Sequence, residues 1–294
     1  MESNVASFDL FESDQQIAAH QAGLARVILE GDTDVELFRR FWFQSLIETF
    51  EFIEARLVSG GAGCTGVDDA VVLSREQGIP ALGIVDRDSL FRNREWDLLY
   101  SIDATNVPDE WSTTRIYVTS RWEVEAYLLE ADTLPPWVTL RHRVRPGPKA
   151  ECEMALVRAL AACEALLAAA PYFASQHVAG VAVPPLFLNI DPVERVIEVC
   201  SVRIAALDVA GQAVAAQVQQ LVEVIRATQP AAAEQRLPYL LQFVDTKRLF
   251  GRLQHALNLR DAHWVDLAEP MRVSERRPVE LERVLQSFEE GLAA

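Results

Sequence analysis

Short apolar runs alternate with amphipathic segments through the first half of the chain. Residues 24–30 (Leu-Ala-Arg-Val-Ile-Leu-Glu) read as a buried strand. Gly31 permits a tight turn, and Asp34 opens a helix to about residue 45 with Phe38, Phe41 and Trp42 on its apolar side. The pattern then predicts a strand over 52–58, a glycine-rich loop at 60–63, a helix over 67–77 and a strand over 81–85. A polar loop leads to a strand at 115–118 and a helix starting near Arg121 and Trp122. Strands that alternate with helices predict an α/β fold: a mainly parallel sheet with flanking helices. Functional residues of such sheets gather beyond the carboxyl ends of the strands.

Pro135-Pro136 and Pro146-Gly147-Pro148 close this unit, and the composition then shifts. Residues 151–170, 193–229, 237–257 and 278–291 are rich in Ala, Val, Leu and Glu at helical spacing. The expectation is an α/β domain over 1–135 and a mostly helical region over 136–294.

Bulk properties narrow the function classes. Half of the 294 residues are hydrophobic, enough for a sizeable core. The net charge of −16 argues against a protein that coats nucleic acid by charge alone, though not against local contact through a basic strip. Cys64, Cys152, Cys163 and Cys200 are scattered without zinc-type spacing and read as reduced thiols. The amino terminus lacks the basic start and apolar run of a signal peptide. The apolar stretch from residue 155 to 170 carries Arg158 and Glu164 and is too short to span a bilayer. A cytoplasmic protein with no membrane association is expected.

Three acidic clusters stand at or beside predicted strands. Glu30 ends the first, with Asp34 in the following turn; Asp34 has an alternative role as a helix cap. Asp86 and Asp88 follow the strand 81–85, where two carboxylates two residues apart can enter one pocket. Such hard oxygen donors suit Mg²⁺ or Mn²⁺, the alternative being an ordinary turn. Glu123 and Glu125 flank Val124 at a helix start, where the helix dipole alone favours acids. At i and i+2 they face different ways on a helix, so at most one reaches a common site.

Three further segments carry weaker signals. Gly61 and Gly66 have the interval of a phosphate loop, but Val67 stands where that loop needs lysine, leaving a backbone nest or a plain turn. Arg141, Arg143, Arg145 and Lys149 form the densest basic segment: a solvated loop or a nucleic-acid phosphate contact. Lys247 begins a helical segment and either faces a scissile phosphate or sits on the surface.

The order Glu30-Gly31-x-x-Asp34, glycine-rich turn, strand, Asp86-x-Asp88 resembles the Toprim domain of topoisomerases, primases and OLD-type nucleases. Arg121-Trp-Glu-Val-Glu-Ala-Tyr-Leu-Leu129 is similar to a segment of the Toprim branch that accompanies an ATPase in bacterial anti-phage systems, such as the effector of the PARIS system. The likeness covers about residues 24–130, and weakly the Lys247 segment, where Thr246 replaces the branch's glycine. It implies a Mg²⁺-dependent (or Mn²⁺-dependent) nuclease acting on DNA or RNA as a defence effector or toxin, with a separate ATPase subunit and room for a homo-oligomer. Glu30 would be metal ligand or general acid/base. Asp86 and Asp88 would hold the metal, Asp34 would support them, Glu125 would complete the site and Lys247 would join it. Two alternatives stay open. Ile-Val-Asp86-Arg-Asp88-Ser also resembles the first motif of HAD phosphatases, and a non-catalytic binding subunit needs none of this chemistry.

Overall fold

The computed structural model describes residues 23–102, 115–183, 192–260 and 263–293. The fold is α/β: a four-stranded, all-parallel sheet with flanking helices, and a mostly helical C-terminal region. The strands are β1 (Ala25–Leu29), β2 (Phe50–Glu54), β3 (Ala81–Val85) and β4 (Ile116–Val118), in spatial order β2-β1-β3-β4.

The described residues group into two compact units. The first comprises 23–85, 115–118 and 274–293, so the last helix, Val279–Ala293, belongs with the sheet. The second comprises 86–102, 119–183, 192–260 and 263–273.

In the first unit β1 and β3 are buried along their whole length, as inner strands of a parallel sheet must be. The one charge within β1, Arg26, is matched by register: it lies opposite Glu51 of β2, which its Nε meets at 2.8 Å, and it also reaches Ser74. Period-two alternation divides the core. Ile28 and Ile53 join Val67, Ala70 and Val71 of the helix Gly63–Glu76. Phe52 instead meets Phe38 and Phe43, while Phe50 stacks on Phe288 of the last helix. Helix and sheet approach so closely that a Cβ on Gly83 would stand 2.6 Å from Val67 and 2.7 Å from Ile116.

Several predicted elements are corrected. The strand expected over 52–58 runs from Phe50 to Glu54, because Ala55–Ser59 turns into a short helix that buries Ala55 against the core. The helix expected over 34–45 starts at Asp32 and widens to a π-helix over Leu37–Trp42, which buries Leu37, Phe38, Phe41 and Trp42 together. The helix expected near residue 121 is a 3₁₀ turn over Val124–Leu128.

The second unit is built around one helix, Ala155–Ala179, against which Val193–Ala205, Val209–Thr228, Ala233–Leu240 and Thr246–Ala256 pack. The apolar stretch expected to end at residue 170, before Pro171, is longer. The helix continues through that proline, whose flanks are buried and held by tertiary packing. At 25 residues it has the length and composition to cross a bilayer, but 72% of its most apolar window is buried inside the protein. All four cysteines are free; Cys163 and Cys200 are buried, and burial pushes both thiols upward, Cys200 to about 12.

Candidate functional site

β1 and β3 are hydrogen-bonded neighbours, with Ile28 paired to Gly83. Continuing that register brings Glu30 level with Val85, and one peptide bond later the chain reaches Asp86. Their proximity is therefore set locally, by the sheet and the covalent chain. Glu30, Asp86 and Asp88 each offer one carboxylate oxygen, and the three atoms lie within 4.8 Å of one another. At an effective dielectric near 20, each pair of charges at that separation repels by about 3.5 kcal/mol. Three such pairs need a compensating positive charge.

Part of that compensation is visible. Asp86 is 8% exposed, and its Oδ1 accepts the Val124 N–H at 3.0 Å. Asp88 opens the short helix Asp88–Arg92 and takes both carboxylate oxygens to Arg92 Nη2, at 2.6 and 2.7 Å. The Asp88–Arg92 pair is partly exposed, where ion pairs contribute roughly 1 kcal/mol or less. The donor set (three carboxylates, no sulfur or imidazole) fits a hard divalent cation.

Arg87, between the two aspartates, holds the turn. It is 2% exposed and donates to the carbonyls of Leu98 and Leu99 at 2.8–3.2 Å. Its backbone N–H donates to Thr119 Oγ1, which itself donates to the Arg121 carbonyl. Asp88 N–H reaches the Trp122 carbonyl at 3.1 Å. These bonds tie the segment after β3 to residues 119–124 and fix where both aspartates start.

The third acidic cluster is organised around Glu123. This residue is 2% exposed, and its Oε1 receives Lys247 Nζ at 2.6 Å, while its Oε2 is buried without a hydrogen-bond partner among the described residues. Burial pushes the Glu123 carboxyl up to about 7, although Lys247 pulls the other way. For Lys247, partial burial disfavours the ammonium, but the Glu123 carboxylate outweighs it and holds the amine above its ordinary range, with Glu125 and Asp88 adding to the effect. Lys247 is the second residue of the helix Thr246–Ala256, whose N-cap is Asp245: the Asp245 carboxylate accepts the Arg248 N–H at 2.9 Å. Asp88, Arg92, Trp122, Glu123, Asp245 and Lys247 all line one cleft of about 340 Å³.

The remaining predicted residues are placed as follows. Asp34 is buried and accepts the Gly31 N–H at 3.1 Å, bracing the turn that follows Glu30; it is outside the three-acid cluster. Glu125 is half-buried and also outside that cluster, acting on Glu123 and Lys247 through its charge. In the basic segment Arg141 is engaged by Asp266 at 2.6 Å, Lys149 pairs with Glu153, and Arg143 and Arg145 are exposed. The glycine-rich turn has a packing role: a Cβ on Gly66 would fall 2.4 Å from the Gly61 carbonyl carbon.

Sequence reasoning passed over Arg87 and Arg92, and it set Glu123 behind Glu125. The Asp88-to-Arg92 interval of four on a short helix was a readable signal. The burial of Glu123 and Arg87 had none, because it depends on segments distant in sequence. No protein-family model, curated protein or solved structure matches this chain.

Proposed function

We propose that this protein is a Mg²⁺- or Mn²⁺-dependent nuclease of Toprim type that hydrolyses DNA or RNA phosphodiesters, acting as a defence effector with a separate ATPase subunit. The observation that carries the reading is the convergence of Glu30, Asp86 and Asp88 on one point beside adjacent strand ends.

Glu30, Asp86 and Asp88 would hold the cation, with Glu125 as a further candidate ligand. A divalent cation there supplies water activation and offsets charge on the phosphate and leaving oxygen. The chain's own residues supply the rest. Arg87 and Val124 N–H fix the aspartates before substrate arrives, which limits reorganisation during reaction. Glu123 holds the Lys247 ammonium at the cleft wall, where it can meet a phosphate oxygen. Arg143 and Arg145 offer exposed charge for the nucleic-acid backbone.

The test is a cleavage assay on plasmid, single-stranded DNA and tRNA with Mg²⁺, Mn²⁺ or EDTA, with and without any co-purifying ATPase. Cleavage that depends on the cation is expected. No cleavage under any of these conditions, with Mn²⁺ bound stoichiometrically, would replace the enzyme with a non-catalytic metal-binding subunit.

A further inference from the structure

We propose that an aromatic cavity beside the acidic cleft receives one unstacked base of a single-stranded nucleic acid. The proposal rests on the nuclease reading and narrows its substrate to strands that can present a base out of the stack.

The cavity has a volume of about 150 Å³ and is lined by six rings: Phe91, Tyr100, Trp122, Phe173, His177 and Phe243. Phe173 and His177 lie four residues apart on the helix Ala155–Ala179 and so share a face. Phe91 links the group, its ring centroid 5.0 Å from His177 and 5.6 Å from Trp122. One edge is polar. Arg248 lies 4.5 Å over the Phe173 ring, and its Nε meets Asp245 at 2.9 Å. Tyr100 is 2% exposed, and its hydroxyl makes no hydrogen bond among the described residues. That hydroxyl is open to donate to or accept from the polar edge of a ligand.

Size and chemistry select the occupant. Drug-sized ligands take roughly 300 Å³ or more, so this cavity suits a single ring system. An alkyl chain would offer nothing to the polar edge formed by the Asp245–Arg248 pair, and a lone phosphate would face Asp245 and gain nothing from six rings. A nucleobase offers an aromatic face together with an edge of donors and acceptors, the combination that base-extruding enzymes bind. Phe91, Trp122, Asp245 and Arg248 line both this cavity and the cleft that holds Asp88, Glu123 and Lys247. A base seated here is thus held next to the backbone presented to the acids.

The experiment measures binding by fluorescence anisotropy in EDTA, so that no cleavage occurs. A labelled single strand of about eight nucleotides is compared with a counterpart carrying abasic sites throughout; base–aromatic stacking predicts about tenfold tighter binding of the former. Phe173→Leu, and Ala182→Trp at an exposed position on the cavity wall, should each reduce the base-bearing strand to the abasic level, with thermal melts confirming folding. Equal affinity for the two strands, no binding of either, or unchanged preference in folded Ala182→Trp overturns the proposal. Cleavage in Mn²⁺ is scored separately. Cleavage without base preference rejects the cavity's role alone, whereas base preference without cleavage rejects the nuclease reading and leaves the base site standing.

Discussion

The acids at the strand ends and Glu123 solve the problem of carboxylate placement in opposite ways. Glu30 and Asp88 are half-buried, and with Asp86 they crowd three like charges within 4.8 Å. Glu123 is deeply buried, stands against Lys247, and has one oxygen without a hydrogen-bond partner among the described residues. The first arrangement is the one that the proposed divalent cation would relieve. The second raises the acid's affinity for a proton and serves to hold an ammonium in place. A count of acidic residues would group the two; their surroundings separate a cluster of three acids from an acid–lysine pair.

That contrast can be broken most directly at the strand ends. Glu30→Gln and Asp86→Asn should each lower metal-dependent cleavage about 1000-fold or more, since metal charge stabilisation is worth several kcal/mol. Loss of Mn²⁺ binding by electron paramagnetic resonance should accompany this, with the far-ultraviolet circular dichroism unchanged. Wild-type binding in both variants would dissolve the cluster as a cation site.

Glu123 should respond to pH instead. Its folded-state value, about 7, lies above the ordinary 4.5. It therefore contributes stability that is complete below about pH 4.5 and is lost as pH rises through about 7, a change of order 3 kcal/mol. Urea titrations across this window should show a shallower slope in Glu123→Gln. In Lys247→Met the loss should continue above pH 7, because the carboxylate no longer has its cation. Identical slopes in all three proteins would remove the buried-acid account.

Arg87→Met probes the support of the strand-end acids without touching them. It strips several buried carbonyl bonds and should cost about 2 kcal/mol in chemical denaturation, weakening Mn²⁺ binding while the Glu123 pH slope persists. The smallest effect is expected in the basic segment. Arg143→Ala with Arg145→Ala should weaken nucleic-acid binding a few-fold. The logarithmic salt slope should fall by about one for each phosphate that is no longer neutralised. Arg141→Ala should act on stability, because it abandons the buried Asp266.

Much of the sheet was legible because its strands are locally complete signals. Ala81–Val85 is an unbroken apolar run ending in Asp, and the strand occupies that span. Phe50–Glu54 was misread at both ends because Ala55–Val58 is as apolar as a strand and becomes helical only through its packing. The helical segment read as ending at residue 170 runs on to Ala179, because a helix clasped by several others can absorb Pro171. Among the candidate residues, Glu30, Asp86 and Asp88 stood out by their places after apolar runs, and the structure brings their carboxylates together. The limit of one member of the pair Glu123 and Glu125 rested on i, i+2 geometry in an α-helix, and the choice of Glu125 on the resemblance, whereas the segment is a 3₁₀ turn with Glu123 as its extended N-cap.

The sequence by itself determined the α/β alternation and the acids that terminate strands, since both follow from periodicity and from the chemistry of neighbouring residues. Only the tertiary structure decided which acids converge, which arginine is a buried brace, and that Lys247 meets Glu123 from 124 residues away. Strand order, register and burial are properties of the assembled chain, and they set the distances and the dielectric on which the charges act.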